Sequence, residues 1–135
     1  MNNCHLIDQI IFAMIVKQGK TTEEYIKVLN ASDKPAYIFD AETLSILDVN
    51  EAGCRLYQHA YQRFLSLTML DLRPASERDK TRAEIILHGK TRIYFGKKIH
   101  QTKLGKILKV KIEADKIVFN DKQAWFTQVK LLNTG

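Results

Sequence analysis

The sequence predicts an α+β fold in which a five-stranded antiparallel sheet carries short helices on one face. Two short apolar runs, AYIFD and SILDV, flank the polar stretch AETL and predict a hairpin near the start of the domain. Three longer runs between residues 92 and 132 predict sequential strands. Because two strands alone are barely stable, we expect the hairpin to join the later strands in one sheet, covered by the intervening helices.

Residues 1–31 are predicted to form a helical segment that precedes the domain. Its first helix covers about 3–17 and is apolar on most sides, so it must pack on its own domain or on another chain. The second helix starts at Thr21, where Glu24 completes a capping box. We therefore divide the chain into an N-terminal segment, 1–31, and a domain, 32–133.

Within the domain, each predicted element has a local start or stop signal. The hairpin ends at Asn50, which caps a helix to about Gln58, and one or two helical turns follow in 62–72. Ser76 is predicted to cap a longer helix that ends near His88, with Gly89 as a left-handed stop. Strands are then predicted over 92–102, 106–119 and 123–132, with short polar turns between them.

Composition limits the classes of protein that fit. The length of 135 residues suits one domain, and two cysteines do not make a disulfide framework, so we expect thiols in a cytoplasmic protein. The longest apolar run, 10–16, is too short to span a bilayer and is not signal-like. No phosphate-binding glycine loop, kinase motif or nucleophile constellation is present, and we expect no enzymatic activity in this chain.

Basic residues are concentrated in one stretch. The formal net charge is +6, and residues 90–111 contain eight lysines or arginines and no acid. One interpretation is a surface for an acidic protein or a nucleic acid, and the other is the solvated edge of a sheet that discourages strand pairing. No aromatic stacking pattern is interleaved with these charges, which argues against single-stranded nucleic acid.

Several words of the sequence together carry a family resemblance. They are AYIFD, ILDVNEAGCRLY, FLSLTMLDLRP and KLGKILKVKIEADKIVFNDKQAWF. Over about residues 29–133 the chain resembles a PAS domain, closest to a subgroup from bacterial sensor kinases. The positions that match the pattern of that subgroup are Tyr37, Asp40, Val49, Asn50, Ala52, Tyr57, Phe64, Leu65, Thr68, Asp71, Arg73 and Pro74.

The resemblance implies a sensory domain of a bacterial signal-transduction protein, such as a histidine kinase or a two-component regulator. Such domains bind a small molecule or cofactor between sheet and helices, or dimerise, and pass a signal to an output domain through flanking helices. The predicted pocket residues are Tyr37, Phe39, Leu56, Phe64, Leu67, Leu70, Ile86, Phe95 and Trp125. The residues predicted to form a homodimer through the first helix are Leu6, Ile7, Ile10, Ile11, Met14 and Ile15. The chain stops just after the last strand, where relatives continue into a linker helix, which suggests a truncation or a compact orphan.

The sequence argues against the two cofactors that such domains use for light and oxygen sensing. Cys54 lies in GCRLYQ, which resembles the flavin-photoreceptor word, but it comes too early in the chain to be the flavin-reactive cysteine. The region that supplies a haem ligand, 76–82, has no histidine. His88 suits a helix end and His100 is predicted to face water, and no histidine lies at metal-ligand spacing. The cofactor, if any, stays unknown, and no metal is expected.

Asp71 and Arg73 have two interpretations. They lie beside Pro74, in the connection that borders the pocket of related domains. They either contact a ligand or form a local salt bridge or turn hydrogen bond, and the sequence favours the local role. The alternative function for the whole chain is a stand-alone binding or adaptor module that holds an acidic protein or nucleic acid through its basic sheet edge.

Overall fold

The computed structural model describes residues 20–133, with side chains through residue 132. The predicted first helix, 3–17, and all six dimerisation residues lie outside the described residues. The described elements are α1 (Thr22–Ala31), β1 (Ala36–Asp40), β2 (Ile46–Val49), α2 (Glu51–Tyr57), α3 (Tyr61–Phe64), a 3-10 helix (Met69–Leu72), α4 (Ala75–Leu87), β3 (Ile93–Gln101), β4 (Ile107–Phe119) and β5 (Lys122–Asn133).

The five described strands form one antiparallel sheet in the order β2-β1-β5-β4-β3. The early hairpin joins the later meander through β1 and β5, so the predicted fold class is confirmed. The β4–β5 hairpin turns through Asn120 and Asp121, both with positive φ, which matches the twist of the paired strands. The β1–β2 turn is held by Asp40, whose carboxylate accepts hydrogen bonds from the backbone N–H groups of Glu42 and Thr43 at 2.8 and 3.0 Å.

The sheet has a core on each face. Helices α2 to α4 and the 3-10 helix cover the inner face, where the larger cluster of buried apolar side chains lies. Helix α1 packs on the opposite, outer face, where Tyr25 and Leu29 contact the β4 and β5 side chains Ile117, Phe119 and Phe126. Helix α1, the described part of the segment that precedes the domain, is therefore in direct contact with the sheet.

Helix α1 begins where the sequence predicts. The Thr21 hydroxyl accepts from the Glu24 N–H at 3.1 Å, and the Glu24 carboxylate accepts from the Thr21 N–H at 2.9 Å, which confirms the capping box. Only Tyr25 and Leu29 of its apolar residues are buried, and Val28 is exposed.

Asn50 joins three elements at what we call the Asn50 junction. Its side-chain oxygen accepts from Ala36 N–H of β1 at 3.1 Å and from Gly53 N–H of α2 at 2.8 Å. Its side-chain nitrogen donates to the Leu29 carbonyl of α1 at 3.1 Å and to the Lys34 carbonyl at 2.8 Å. The predicted helix cap is confirmed, and the same side chain also ties α1 to the sheet.

Helix α4 differs in detail from the prediction. It begins at Ala75 after Pro74 rather than being capped by Ser76, and it ends at Leu87 with His88 as the C-cap. Gly89 does not adopt the predicted left-handed conformation, since Gly105 is the one glycine of residues 20–133 with positive φ. Its amide instead donates to the Ile86 carbonyl at 3.2 Å, so the last turn closes without a glycine stop.

Candidate ligand cavity

A partly open cavity of about 50 Å³ lies between the inner face of the sheet and α4, and we call it the Arg73 cavity. Its deep walls are buried side chains of β1, β4, β5 and the 3-10 helix region, and its rim is formed by half-buried side chains of α4 and β3. The residues that line it are Tyr37, Phe39, Met69, Arg73, Thr81, Glu84, Ile85, His88, Tyr94, Lys98, Ile112, Ala114, Trp125 and Thr127.

The floor of the cavity is a row of side chains that crosses the sheet. Tyr37 of β1 pairs with Thr127 of β5, Thr127 pairs with Ala114 of β4, and Ala114 pairs with Tyr94 of β3. Side chains of directly paired residues lie on the same face, so all four face the helices. The small side chain of Ala114 leaves space between the larger ones.

Arg73 forms one wall and is 1% exposed. The 3-10 helix places it there: the Arg73 N–H donates to the Leu70 carbonyl at 3.1 Å, and the guanidinium Nη1 donates to the Met69 carbonyl at 3.2 Å. No carboxylate of the described residues forms an ion pair with it. A buried guanidinium without a counter-ion is rare, because desolvation of the charge is unfavourable.

Three of the residues that line the cavity each carry a buried polar atom with no hydrogen-bond partner among the described residues. These atoms are the hydroxyl oxygens of Tyr37 and Thr127 and the Nε of Arg73. Tyr37 and Thr127 are both 0% exposed. The great majority of buried polar groups in proteins are paired, so three unpaired groups on residues around one cavity are unusual.

The rim carries an ion pair. Lys98 and Tyr94 of β3 both donate to the same carboxylate oxygen of Glu84 on α4, Tyr94 at 3.1 Å. Burial alone would raise the pKa of Glu84, but the hydrogen bond and charge of Lys98 outweigh it and lower this pKa. Likewise burial would lower the pKa of Lys98, and its bonds to Glu84 and Tyr94 raise this pKa overall. The pair therefore remains ionised and joins α4 to β3 across the mouth of the cavity.

Gly96 allows Tyr94 to reach this position. A Cβ atom at Gly96 would lie 2.7 Å from the Tyr94 hydroxyl, a separation that real contacts do not show. The ring of Tyr94 also packs against His88 at a tilted angle, with a centroid distance of 4.9 Å. The glycine is therefore required by the close approach of the aromatic ring that closes the rim.

A second polar pair lies deeper in the core, beside the cavity. The Tyr57 hydroxyl and His100 Nδ1 are 2.6 Å apart, and both residues are fully buried. Burial, with a smaller contribution from the charges of Arg73 and Lys98, holds the pKa of His100 well below its usual value, so this imidazole is neutral. The prediction that His100 faces water is wrong, because even-numbered residues of β3 face the helices and His100 shares that face with Tyr94 and Lys98.

The structure divides the predicted pocket residues into three groups. Tyr37, Phe39 and Trp125 line the Arg73 cavity. Phe64, Leu67 and Leu70 are buried in the same core but away from the cavity, and Leu56 packs partly buried against it. Their assignment to a ligand pocket therefore stays a prediction.

Ile86 and Phe95 are contradicted as pocket walls. Ile86 is 75% exposed, because α4 turns Thr81, Glu84, Ile85 and His88 towards the sheet and the next residue faces away. Phe95 is 59% exposed, because it alternates with Tyr94 and faces the outer side of the sheet. Both errors come from an offset of one residue in a correctly predicted element.

Sequence reasoning missed most of the polar residues of the site. The sequence allows two interpretations of Arg73, and the structure gives it a local backbone bond together with a place in the cavity wall. Asp71 is exposed, and its carboxylate accepts from the Thr68 N–H at 2.9 Å, which is the local role favoured from the sequence. Thr127 could have been found, since it alternates with Trp125 on a predicted strand. No pattern in the sequence around Glu84 or Lys98 indicates that these residues lie at the cavity.

Cys54 does not line the cavity. It lies on α2 beside Asp48 and Glu51, and burial, followed by those two charges, raises the pKa of its thiol. A cavity of about 50 Å³ is also far smaller than the roughly 300–1,000 Å³ of sites for drug-sized ligands. In the described part of the chain, no group of three His, Cys, Asp or Glu side chains is arranged to hold a metal ion.

Comparison with solved structures identifies the architecture. A domain of a sensory box sensor histidine kinase/response regulator from Geobacter sulfurreducens superposes with a TM-score of 0.64 at 21% identity, covering 78% of this chain and 90% of that one. The PAS domain of a protein from Colwellia psychrerythraea gives a TM-score of 0.70 at 13% identity, covering 82% and 95%. The fold is that of a PAS domain.

A third PAS-fold neighbour was crystallised with a small molecule. The PAS domain of a LuxR-family transcriptional regulator from Burkholderia thailandensis, in complex with ethanol, has a TM-score of 0.64 at 13% identity and covers 80% of this chain and 96% of that one. No protein-family model and no curated protein matches this sequence. The resemblance found in the sequence is thus confirmed at the level of fold.

The helices within 20–133 are all too short or too polar to cross a bilayer.

Proposed function

We propose that this PAS domain is the sensory module of a signal-transduction protein and that it detects a small molecule in the Arg73 cavity. The observation that carries the proposal is the set of three buried polar atoms without partners around an otherwise apolar space. An ordinary filled core would have replaced them by apolar groups or paired them. The ethanol complex of a domain with the same fold supports a ligand of this size.

Two contacts connect the cavity to the rest of the molecule. The Glu84–Lys98 pair joins α4 to the sheet at the rim, and the Asn50 junction joins the sheet to α1. A ligand that changes the packing of α4 on the sheet would bias the sheet surface on which α1 lies. The signal would then leave the domain through the N-terminal segment towards an output domain.

Titration with ethanol, followed by two-dimensional NMR of amide-labelled protein, tests whether the cavity admits a small molecule. We expect shifts concentrated at Tyr94, Ala114 and Thr127 and absent in Ala114→Ile, which fills the space. Ala83→Ile, at an exposed position of α4, is the matched control and should bind as the parent does. Shifts scattered over the surface, or equal shifts in Ala114→Ile, would contradict the proposal.

The same proposal includes a homodimer formed by the predicted helix 3–17. The apolar residues Leu6, Ile7, Ile10, Ile11, Met14 and Ile15 support it, since such a helix requires a covering surface. Light scattering of the full chain should give a dimer, and a variant lacking residues 3–17 should give a monomer with unchanged NMR shifts at the cavity. The same oligomeric state in both proteins would remove this role.

A row of lysines favours a second candidate function, an adaptor for an acidic protein or a nucleic acid. Lys97 of β3 pairs with Lys111 of β4, which pairs with Lys130 of β5, so three like charges stand side by side on the outer face. Directly opposed like charges are destabilising, and an anionic partner would relieve the repulsion.

Retention on heparin and on double-stranded DNA distinguishes this candidate. If it holds, replacing the three lysines by glutamine should abolish retention at low salt, while three glutamines at Lys27, Lys103 and Lys106 should not. No retention of the parent protein, or equal loss in both triple variants, would eliminate the lysine row as a binding surface.

A further inference from the structure

We infer that the ligand of the Arg73 cavity is a small monocarboxylate whose carboxylate group lies against Arg73, Tyr37 and Thr127. This inference rests on the proposed function, since it names the chemical class of the molecule detected in that cavity.

The charges that line the cavity sum to one uncompensated positive charge. Glu84 and Lys98 neutralise each other at the rim, whereas Arg73, at the deep end, has no carboxylate partner among the described residues. A monoanion would balance Arg73. A cation would add to an unpaired charge, a neutral molecule would leave it unpaired, and a dianion would exceed it.

The unpartnered atoms match a carboxylate. The Nε of Arg73 is a hydrogen-bond donor and cannot accept, and the hydroxyls of Tyr37 and Thr127 can both donate. An ionised carboxylate only accepts and has about four lone-pair sites on two oxygens, enough for three donors. Hydrogen bonds between a guanidinium and a carboxylate are also roughly twice as strong as those between neutral groups.

The positions of Tyr37, Thr127 and Arg73 in the fold support the convergence of these three donors on one space. Tyr37 and Thr127 are direct cross-strand partners, so their side chains stand beside each other on the inner face. Arg73 approaches the same space from the 3-10 helix, with its Nη1 already engaged by the Met69 carbonyl. The local backbone supplies no hydrogen-bond acceptor for its Nε.

The size of the space selects short acids. One buried water needs about 10–15 Å³ measured in this way, so a cavity of about 50 Å³ holds a molecule of about four or five non-hydrogen atoms. Acetate and propionate are of this size. The carbon chain would contact the apolar walls supplied by Phe39, Met69 and Ile112, on the side away from Arg73.

Burial indicates the direction of entry. The side chains at the Arg73 end are buried, whereas Glu84, His88, Tyr94 and Lys98 at the rim are half-buried. A carboxylate would enter between α4 and β3, pass the cationic Lys98 and reach Arg73 at the deep end. Because Lys98 is neutralised by Glu84, the uncompensated charge of Arg73 at the end of this path is what favours an anion.

Propionate and its neutral isostere propionamide test the assignment. We expect propionate, titrated at pH 7 and constant ionic strength by two-dimensional NMR, to bind the full chain at least tenfold more tightly than propionamide. The shifts should be largest at Arg73, Tyr37 and Thr127.

Thr127→Val removes one donor with almost no change of shape and should reduce the preference for propionate over propionamide by about tenfold. Thr81→Val, at the other threonine of the cavity wall, is the matched control and should retain the preference. Arg73→Gln should abolish the preference. If that variant does not fold, the Thr127→Val and Thr81→Val pair still decides the question.

The outcomes separate this inference from the proposed function. Equal binding of propionate and propionamide, or an equal loss in Thr81→Val and Thr127→Val, overturns the carboxylate assignment. Binding of ethanol but of neither propionate nor propionamide overturns it too and leaves the proposed function standing. Absence of binding by all three probes overturns both.

Discussion

The Asn50 junction and the Arg73 cavity place similar polar side chains in opposite circumstances. Asn50 is 2% exposed and Arg73 is 1% exposed. Asn50 makes four hydrogen bonds of 3.1 Å or shorter, whereas the guanidinium of Arg73 makes one and stands beside two unpaired hydroxyls. In the Asn50 junction, buried polar groups bond to each other and hold elements together. In the Arg73 cavity, buried polar groups have no partner within residues 20–133 and are free to bond to a ligand. The contrast separates the residues that build this fold from those that we propose for sensing.

Asn50→Ala should give the largest loss of stability. It leaves the N–H groups of Ala36 and Gly53 and the Leu29 carbonyl without their side-chain partner. Each buried unpaired group costs about 1–3 kcal/mol, so we expect a loss of about 3 kcal/mol or more in the free energy of unfolding. Urea denaturation measures it. Asn30→Ala, at an exposed position of α1, should change this free energy by less than about 0.5 kcal/mol. Equal small effects in both variants would remove the difference between the two regions.

The Tyr57–His100 pair lies between the two extremes, because His100 Nδ1 is bonded and its Nε2 has no partner among the described residues. The pKa of His100 is lowered in the folded protein, so the unfolded chain binds a proton first as the pH falls. Stability is therefore lost below the unfolded pKa of about 6.5. Between pH 7.5 and 5.5 the protein should lose about 1.4 kcal/mol more than His100→Asn, measured by urea denaturation.

His59→Asn is the matched control for this pH dependence. Burial, together with Lys103 and Arg63, also lowers the pKa of His59, but this ring is only half-buried. The His59→Asn variant should therefore keep most of the pH dependence that His100→Asn loses. The same slope in the parent and in His100→Asn would show that His100 titrates normally in the folded state.

Tyr37 and Tyr57 allow a direct comparison of two hydroxyl groups. Both rings are fully buried, and their centroids are 6.3 Å apart. Tyr57→Phe leaves His100 Nδ1 unpaired and should lower the free energy of unfolding by about 1 kcal/mol. Tyr37→Phe removes a hydroxyl that has no partner and should raise it by up to about 1 kcal/mol in the absence of ligand. Thermal denaturation of both variants checks the signs, and a loss of equal size in both would show that the Tyr37 hydroxyl is satisfied.

The sequence predicted those features that depend on neighbouring residues. The Thr21 capping box, the Asn50 cap and the turn at Asn120 are local, and all three agree with the structure. The predictions for Ile86 and Phe95 were wrong, because which face of a helix or strand is buried depends on the elements that pack against it. Those elements lie outside a short stretch of sequence.

The polar residues of the cavity could not be predicted from the sequence for a related reason. Whether Arg73 has a counter-ion depends on residues from β3, β5 and α4, which are distant in the sequence. His100 alternates with lysines, and its burial became clear only when its strand was placed on the sheet. The packing of α1 on the outer face was likewise not deducible, since its stripe of apolar residues fits either face.

The free energy of unfolding of Thr127→Val relative to the parent protein, with and without propionate, tests the central claim most directly. Without ligand, the variant should be more stable by up to about 1 kcal/mol, because an unpaired buried hydroxyl is removed. With propionate at 100 times its dissociation constant, the parent gains about 2.7 kcal/mol and the variant much less, so the order of stability reverses. A variant that is less stable than the parent without ligand, or an order that propionate does not change, would contradict the account.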